Sequence, residues 1–284
     1  MYARGEEAVK ANELAVRAVR AARRRTRRDG KAAVIPFRQG PATRFRLVPE
    51  PVFVLSYLRS GSTLMRVVLN SHSQICAPLE MHLRALRVTT QKANLLELAL
   101  KELGLTNREL ENMLWDRILY DQLNKSGKSF VVDKTPHNTL SWERIHRYWP
   151  RAKFIILYRH PVPVVRSMMK AHPNANEEQW AEQITRFARA LDRASEVHGG
   201  LKVRYEDLTR TPEKTTREIC DFLGLPWEQQ MVDYGTQQHG GFTRGLGDWS
   251  DKIKAGSIEP APPDPAPEDI PPYLTEACKL MGYL

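Results

Sequence analysis

Apolar positions along the chain fall into short dense runs separated by longer stretches with helical spacing. Residues 52–55, 129–133, 153–158 and 201–205 are compact and rich in β-branched and aromatic side chains, so each reads as a buried strand. Residues 71–82 contain Pro78 and close on Glu80 and His82, which reads as a strand followed by a loop. Helical periodicity starts at Leu64 with Met65, Val68 and Leu69, and returns over 92–104 and 107–124. Further helices are expected from about 139 to 148, after Pro161 with Ser167 on it, and over 177–197 with Trp180, Ile184, Phe187 and Leu191 at core spacing. Thr211-Pro212-Glu213 opens another helix, which Gly224 and Pro226 stop beyond Leu223. Residues 260–272 are Pro-rich and read as an extended strap, and a short helix over 273–281 follows. Strands alternating with helices predict an α/β fold of three layers around a central parallel sheet.

Composition leaves that picture unchanged: 284 residues, 42% hydrophobic and 27% charged, describe a globular chain of one domain plus an appendage. The appendage is expected over 1–45. Residues 6–28 place Ala8, Ala11, Ala15, Val19 and Ala22 on one helical face, with an arginine cluster at 23–28. Asp29-Gly30 ends the helix, and a connector leads into the domain at 46–284. Charge follows the same division. Of the net +10, residues 1–31 carry ten Lys or Arg against four Asp or Glu, leaving only +4 for the rest. A mildly basic body suits an anionic ligand and requires no nucleic acid. The arm reads as a solvated helix that an acidic partner, a carrier protein or an anionic surface could meet. No run of about 18 apolar residues predicts a membrane span, and no apolar leader is apparent, so a cytoplasmic protein is expected. Cys76, Cys220 and Cys278 are far apart and without metal spacing, so they read as small core residues of a reducing compartment, and no metal is expected.

Candidate chemistry gathers where the strands end, the place where open α/β sheets collect ligands. Ser56-Tyr57-Leu58-Arg59-Ser60-Gly61-Ser62-Thr63-Leu64 joins a strand to a helix through small polar residues. Such a turn aims backbone N–H groups and a helix dipole at an anion. Gly61 permits close approach, Ser60, Ser62 and Thr63 offer hydroxyls, and Arg59 adds a fixed charge. The triphosphate-binding pattern needs Gly where Ser56 stands and Lys where Ser62 stands, so this cradle suits a ligand with one terminal phosphate to clamp. Lys134-Thr-Pro-His137, Arg159 and Tyr205 stand at the ends of the other strands.

Together these segments resemble the sulfotransferases that use 3′-phosphoadenosine 5′-phosphosulfate, over roughly residues 50–284. Leu58-Arg-Ser-Gly-Ser-Thr-Leu64 resembles the family's 5′-phosphosulfate loop, and Tyr158-Arg-His-Pro-Val-Pro-Val-Val-Arg-Ser167 its 3′-phosphate motif. Val203-Arg-Tyr-Glu-Asp207 resembles the strand whose Tyr reaches the adenine. The resemblance implies a P-loop-like sulfotransferase fold, this nucleotide as co-substrate and a hydroxyl or amine acceptor. It implies that Arg59, Ser60, Gly61, Ser62, Thr63, Leu64, Arg159, Ser167 and Tyr205 bind the nucleotide. Lys134 corresponds to the family's second cation. Arg244 or Lys252, in the Gly-rich stretch, would reach a phosphate, although Thr243-Arg244-Gly245 departs from the Arg-Lys-Gly of many cytosolic members. Glu80 lies 21 residues after Arg59, a spacing similar to the tyrosylprotein enzymes, whose Glu is the base; His82 and His137 are its rivals. The segments 247–251 and 278–284 look more like bacterial members, including those of polyketide biosynthesis. A phosphotransferase on the same cradle is the competing class.

Overall fold

A computed structural model describes residues 46–89, 94–236, 253 and 256–284. The basic arm, and the Gly-rich stretch with Arg244 and Lys252, lie outside the described residues.

Five strands form one parallel sheet: β1 (Val52–Leu55), β2 (Ile75–Cys76), β3 (Phe130–Asp133), β4 (Lys153–Tyr158) and β5 (Leu201–Arg204), in the spatial order β2-β3-β1-β4-β5. β1 is the centre, with Val52 beside Val132 on one flank and Lys153 on the other. Side chains alternate across a strand, and the two cores follow that period. Phe53, Leu55, Val131, Phe154 and Ile156 pack on one face, and Val52, Val54, Val132, Ile155 and Leu157 on the other. Apolar run, rather than apolar alternation, is what burial on both faces demands.

Helix α1 (Ser62–Ser71) follows β1, while α2 (Asn94–Glu102) and α3 (Asn107–Ser126) precede β3. After β3 come α4 (Trp142–Tyr148), then α5 (Pro161–Ala171) and α6 (Glu177–His198) between β4 and β5. The chain continues through α7 (Tyr205–Arg210), α8 (Pro212–Leu223) and α9 (Thr275–Leu280). Trp115 and Leu119 of α3, Ile145 of α4 and Phe187 and Leu191 of α6 cover the Phe53 face; α1 and α8 cover the Val54 face.

Two expectations need correction. The helix expected from about residue 139 starts as a 3-10 segment, Pro136–Ser141, and becomes α-helical only at Trp142. Thr139 Oγ1 accepts from the Ser56 N–H at 2.8 Å and donates to the Ser56 carbonyl at 2.7 Å, which holds that tight turn against the end of β1. Tyr205 does not end β5: the strand stops at Arg204 and Tyr205 opens α7. The turn into helix brings its ring over the β1 loop.

Candidate functional site

The loop after β1 is held in a conformation that few residues adopt. Gly61 has φ +84°, and Arg59, which has a Cβ, has φ +63°. A left-handed backbone costs a non-glycine residue about 1–2 kcal/mol, and such strain gathers at ligand sites. Gly61 is required twice over, because a Cβ there would lie 2.2 Å from Cδ2 of Tyr205. The Ser60 hydroxyl donates to the Tyr57 carbonyl at 2.7 Å, so it closes the loop itself. Ser62, Thr63 and Leu64 form the first turn of α1, which contains no acidic residue. Its N–H groups and dipole are therefore uncompensated by any carboxylate of that turn.

The residues expected to bind a second phosphate converge on this loop. Arg59 Nε donates to Ser167 Oγ at 3.0 Å, and Arg159 Nη1 donates to the Arg59 carbonyl at 2.9 Å. The Arg159 guanidinium lies 4.2 Å from the centre of the Tyr205 ring, a cation–π contact. Arg59, Arg159, Ser167 and Tyr205, from four separate segments, thus form one bonded group, with the Tyr205 ring against Gly61.

The second cluster stands at the end of the neighbouring strand, since Phe53 of β1 is in register with Asp133 of β3. Lys134 is fully buried and pairs with Glu80 Oε1; Glu80 Oε2 lies 3.4 Å from His82 Nε2. Burial pushes the Lys134 ammonium below the usual lysine range, and Glu80 opposes that shift. His137 is also pushed down, by burial first and then by the charges of Arg84 and His82, so it stays neutral more readily than an exposed histidine. The Asp133 oxygens accept from Trp115 Nε1 at 3.1 Å and Thr135 Oγ1 at 2.9 Å, and burial pushes its carboxyl up to about 6. Thr135 Oγ1 in turn accepts from the His82 N–H at 3.4 Å, tying the Glu80–His82 loop to the end of β3. His82 has φ +50°, so that loop too is strained.

Sequence reasoning missed Arg66. It is buried on α1 beside the same pair, and Nη1 donates to the Ala77 carbonyl at 3.3 Å, at the start of the segment leading to Glu80. Burial lowers its guanidinium to about 10, against the pull of Glu80. The signal was a charged residue within an apolar helical run. The site thus offers an anion cradle with fixed cations, and beside it a buried ammonium paired with a carboxylate next to the His82 imidazole.

The model of the sulfotransferase family matches residues 51–229. A Caenorhabditis briggsae protein, provisionally named a protein-tyrosine sulfotransferase, is 28% identical over 82% of this chain and 88% of its own length. Human protein-tyrosine sulfotransferase 1 is 26% identical over 64% of this chain, which spans about half (53%) of that relative. Among solved structures, the sulfotransferase domain of the Synechococcus olefin synthase superposes with a TM-score of 0.56 at 24% identity, covering 82% of this chain and 94% of that one. The sulfotransferase domain of the curacin biosynthetic pathway gives 0.51 at 24% identity, covering 81% and 90%.

Proposed function

Because the chain belongs to the sulfotransferase family, we propose that its donor is 3′-phosphoadenosine 5′-phosphosulfate and its acceptor a hydroxyl (or amine) of a small molecule or natural-product intermediate. The observation that carries this reading is the bonded group of Arg59, Arg159, Ser167 and Tyr205 standing one strand away from the Lys134–Glu80 pair.

In this reading the α1 N-terminus and Arg59 bind the 5′-phosphate end, with Ser62 and Thr63 as further donors. Arg159 and Ser167 hold the 3′-phosphate, and the Tyr205 ring lies along the base. Before the donor arrives, Lys134 is neutralised by Glu80 and Arg59 is bonded to Ser167; phosphate oxygens then replace both partners. That exchange frees Glu80 to face the acceptor. Glu80 takes the acceptor's proton as the new O–S bond forms. The S–O bond to phosphate breaks with its electron pair going to the departing phosphate, whose charge Lys134 and Arg59 meet. Little of the chemistry is covalent to the protein, so positioning and fixed charge carry the rate, as in phosphoryl transfer. His82 would orient Glu80, and the neutral His137 can accept a hydrogen bond from an acceptor hydroxyl. Arg244 or Lys252 is proposed to reach a phosphate.

Natural-product acceptors are favoured by the pathway domains that share the fold, and peptide tyrosine is the second reading, favoured by the names of the sequence relatives. An acceptor panel incubated with the phosphosulfate donor and read by mass spectrometry tests the proposal. Addition of one SO3 to a small hydroxyl compound supports it; addition only to tyrosyl peptides moves the assignment to the second reading; phosphate transfer from ATP with Mg²⁺ contradicts both.

A further inference from the structure

Arg159 is rooted in a segment whose backbone is clamped by side chains from distant parts of the chain. The Tyr57 hydroxyl accepts from the Arg159 N–H at 2.9 Å and donates to the Arg159 carbonyl. The next N–H, of His160, is accepted by Glu206 Oε1 at 3.0 Å. Glu206 is itself buried, at 4% exposure, and its other oxygen accepts from the Tyr283 hydroxyl at 2.7 Å. Tyr283 lies beyond α9 and packs against two neighbours: the His160 ring sits 4.8 Å away and the Arg204 guanidinium 4.8 Å from the ring centre. Arg204 also donates to the Gly282 carbonyl at 2.5 Å. A chain of bonds therefore runs Tyr283–Glu206–His160 and ends one residue from the arginine that faces the cradle.

We propose that Tyr283 and Glu206 are positioning residues for the 3′-phosphate site: they fix the backbone at His160 and so aim the Arg159 guanidinium. The inference rests on the donor assigned above. Neither residue needs to touch the ligand. A long cationic side chain gives up rotamer freedom when it binds, and a fixed root leaves less of that cost to the binding step. If Tyr283 served only to anchor α9 to the body, its loss would lower stability without altering which phosphate is recognised.

The test measures calorimetric affinities of the wild-type chain and Tyr283→Phe for adenosine 3′,5′-bisphosphate and for adenosine 5′-monophosphate. Only the first carries the 3′-phosphate. Tyr283→Phe keeps the ring against His160 and Arg204 and removes the hydroxyl's bond to Glu206. Bisphosphate affinity is expected to fall about tenfold, the size of one hydrogen bond to a charged group, and monophosphate affinity by less than about twofold. Glu206→Gln, which keeps one accepting oxygen and the side chain's size, repeats the comparison should the first variant melt early. Equal loss for both ligands, or no loss for either, would overturn the inference alone. A wild-type chain that binds no bisphosphate would overturn the donor assignment and this inference with it.

Discussion

Replacing Glu80 by Gln separates what the carboxylate does for the fold from what it does for the reaction. Lys134 is fully buried and Glu80 is only 11% exposed at its side chain, so the pair is nearly dry. Removing one partner of a buried pair costs about 3–5 kcal/mol. Here the lower end applies, because Lys134 already sits below the usual lysine range and can shed its proton instead. Without Glu80 the nearby Arg66 charge pushes it lower still. The sign with pH follows. The folded lysine is depressed and the unfolded one is ordinary, so the unfolded state holds the extra proton. That unfolded lysine is common to both chains, so the variant's deficit is full below its own folded lysine value and shrinks as pH rises from there toward the wild-type folded value, which Glu80 holds higher but still below the ordinary lysine value of about 10.4. Urea denaturation of wild type and Glu80→Gln at several pH values measures this. Turnover, at saturating donor, is expected to fall by about 10²–10⁴-fold, the worth of a general base. A deficit below about 1 kcal/mol that does not change with pH would refute the buried pair, and turnover near the wild-type rate would refute the base.

The same contacts make further expectations. Gly61→Ala forces a left-handed alanine and drives its Cβ into the Tyr205 ring, which carries Arg159. The expected cost is about 1–2 kcal/mol of stability, with a larger loss of nucleotide affinity; a variant binding at wild-type strength would contradict the cradle. Ser167→Ala removes the hydroxyl proposed to hold the 3′-phosphate, so donor affinity should drop by about tenfold while kcat changes little, as steady-state kinetics would show. Asp133 has a folded value of about 6 against an ordinary 3.8. It contributes fully below the unfolded value, and that contribution is lost as pH rises through 6. Wild type should thus lose up to about 3 kcal/mol relative to Asp133→Asn between pH 4 and 7, at about 1.4 kcal/mol per pH unit. Chemical melts across that window decide it.

Much of this arrangement was legible along the chain because its signals are local. Val52–Leu55 and Lys153–Tyr158 are dense β-branched and aromatic runs, which only a strand buried on both faces explains. Arg159 and Ser167 are eight residues apart across one helix start, so a short motif carries both. Tyr205 opens a helix rather than ending a strand, since nothing local shows that the chain must turn at Arg204 to lay the ring on Gly61. The pairing of Lys134 with Glu80 spans 54 positions and that of Tyr283 with Glu206 spans 77, and no local spacing reports such contacts. Arg66 was passed over because α1 reads as an apolar helix, and a single charge within it reads first as a solvated residue; only the fold shows that it is buried beside Glu80.

The central claim is that the cradle after β1 takes a nucleotide bearing a 3′-phosphate and one terminal 5′ group, rather than a triphosphate. The most direct measurement is calorimetric titration of the full chain with adenosine 3′,5′-bisphosphate in metal-free buffer, set against ATP with Mg²⁺ and repeated with Arg159→Ala. Tight binding of the bisphosphate that Arg159→Ala abolishes, with no binding of ATP, is the predicted result. Binding of ATP with Mg²⁺ at equal or greater strength, or bisphosphate binding indifferent to Arg159, would contradict the account.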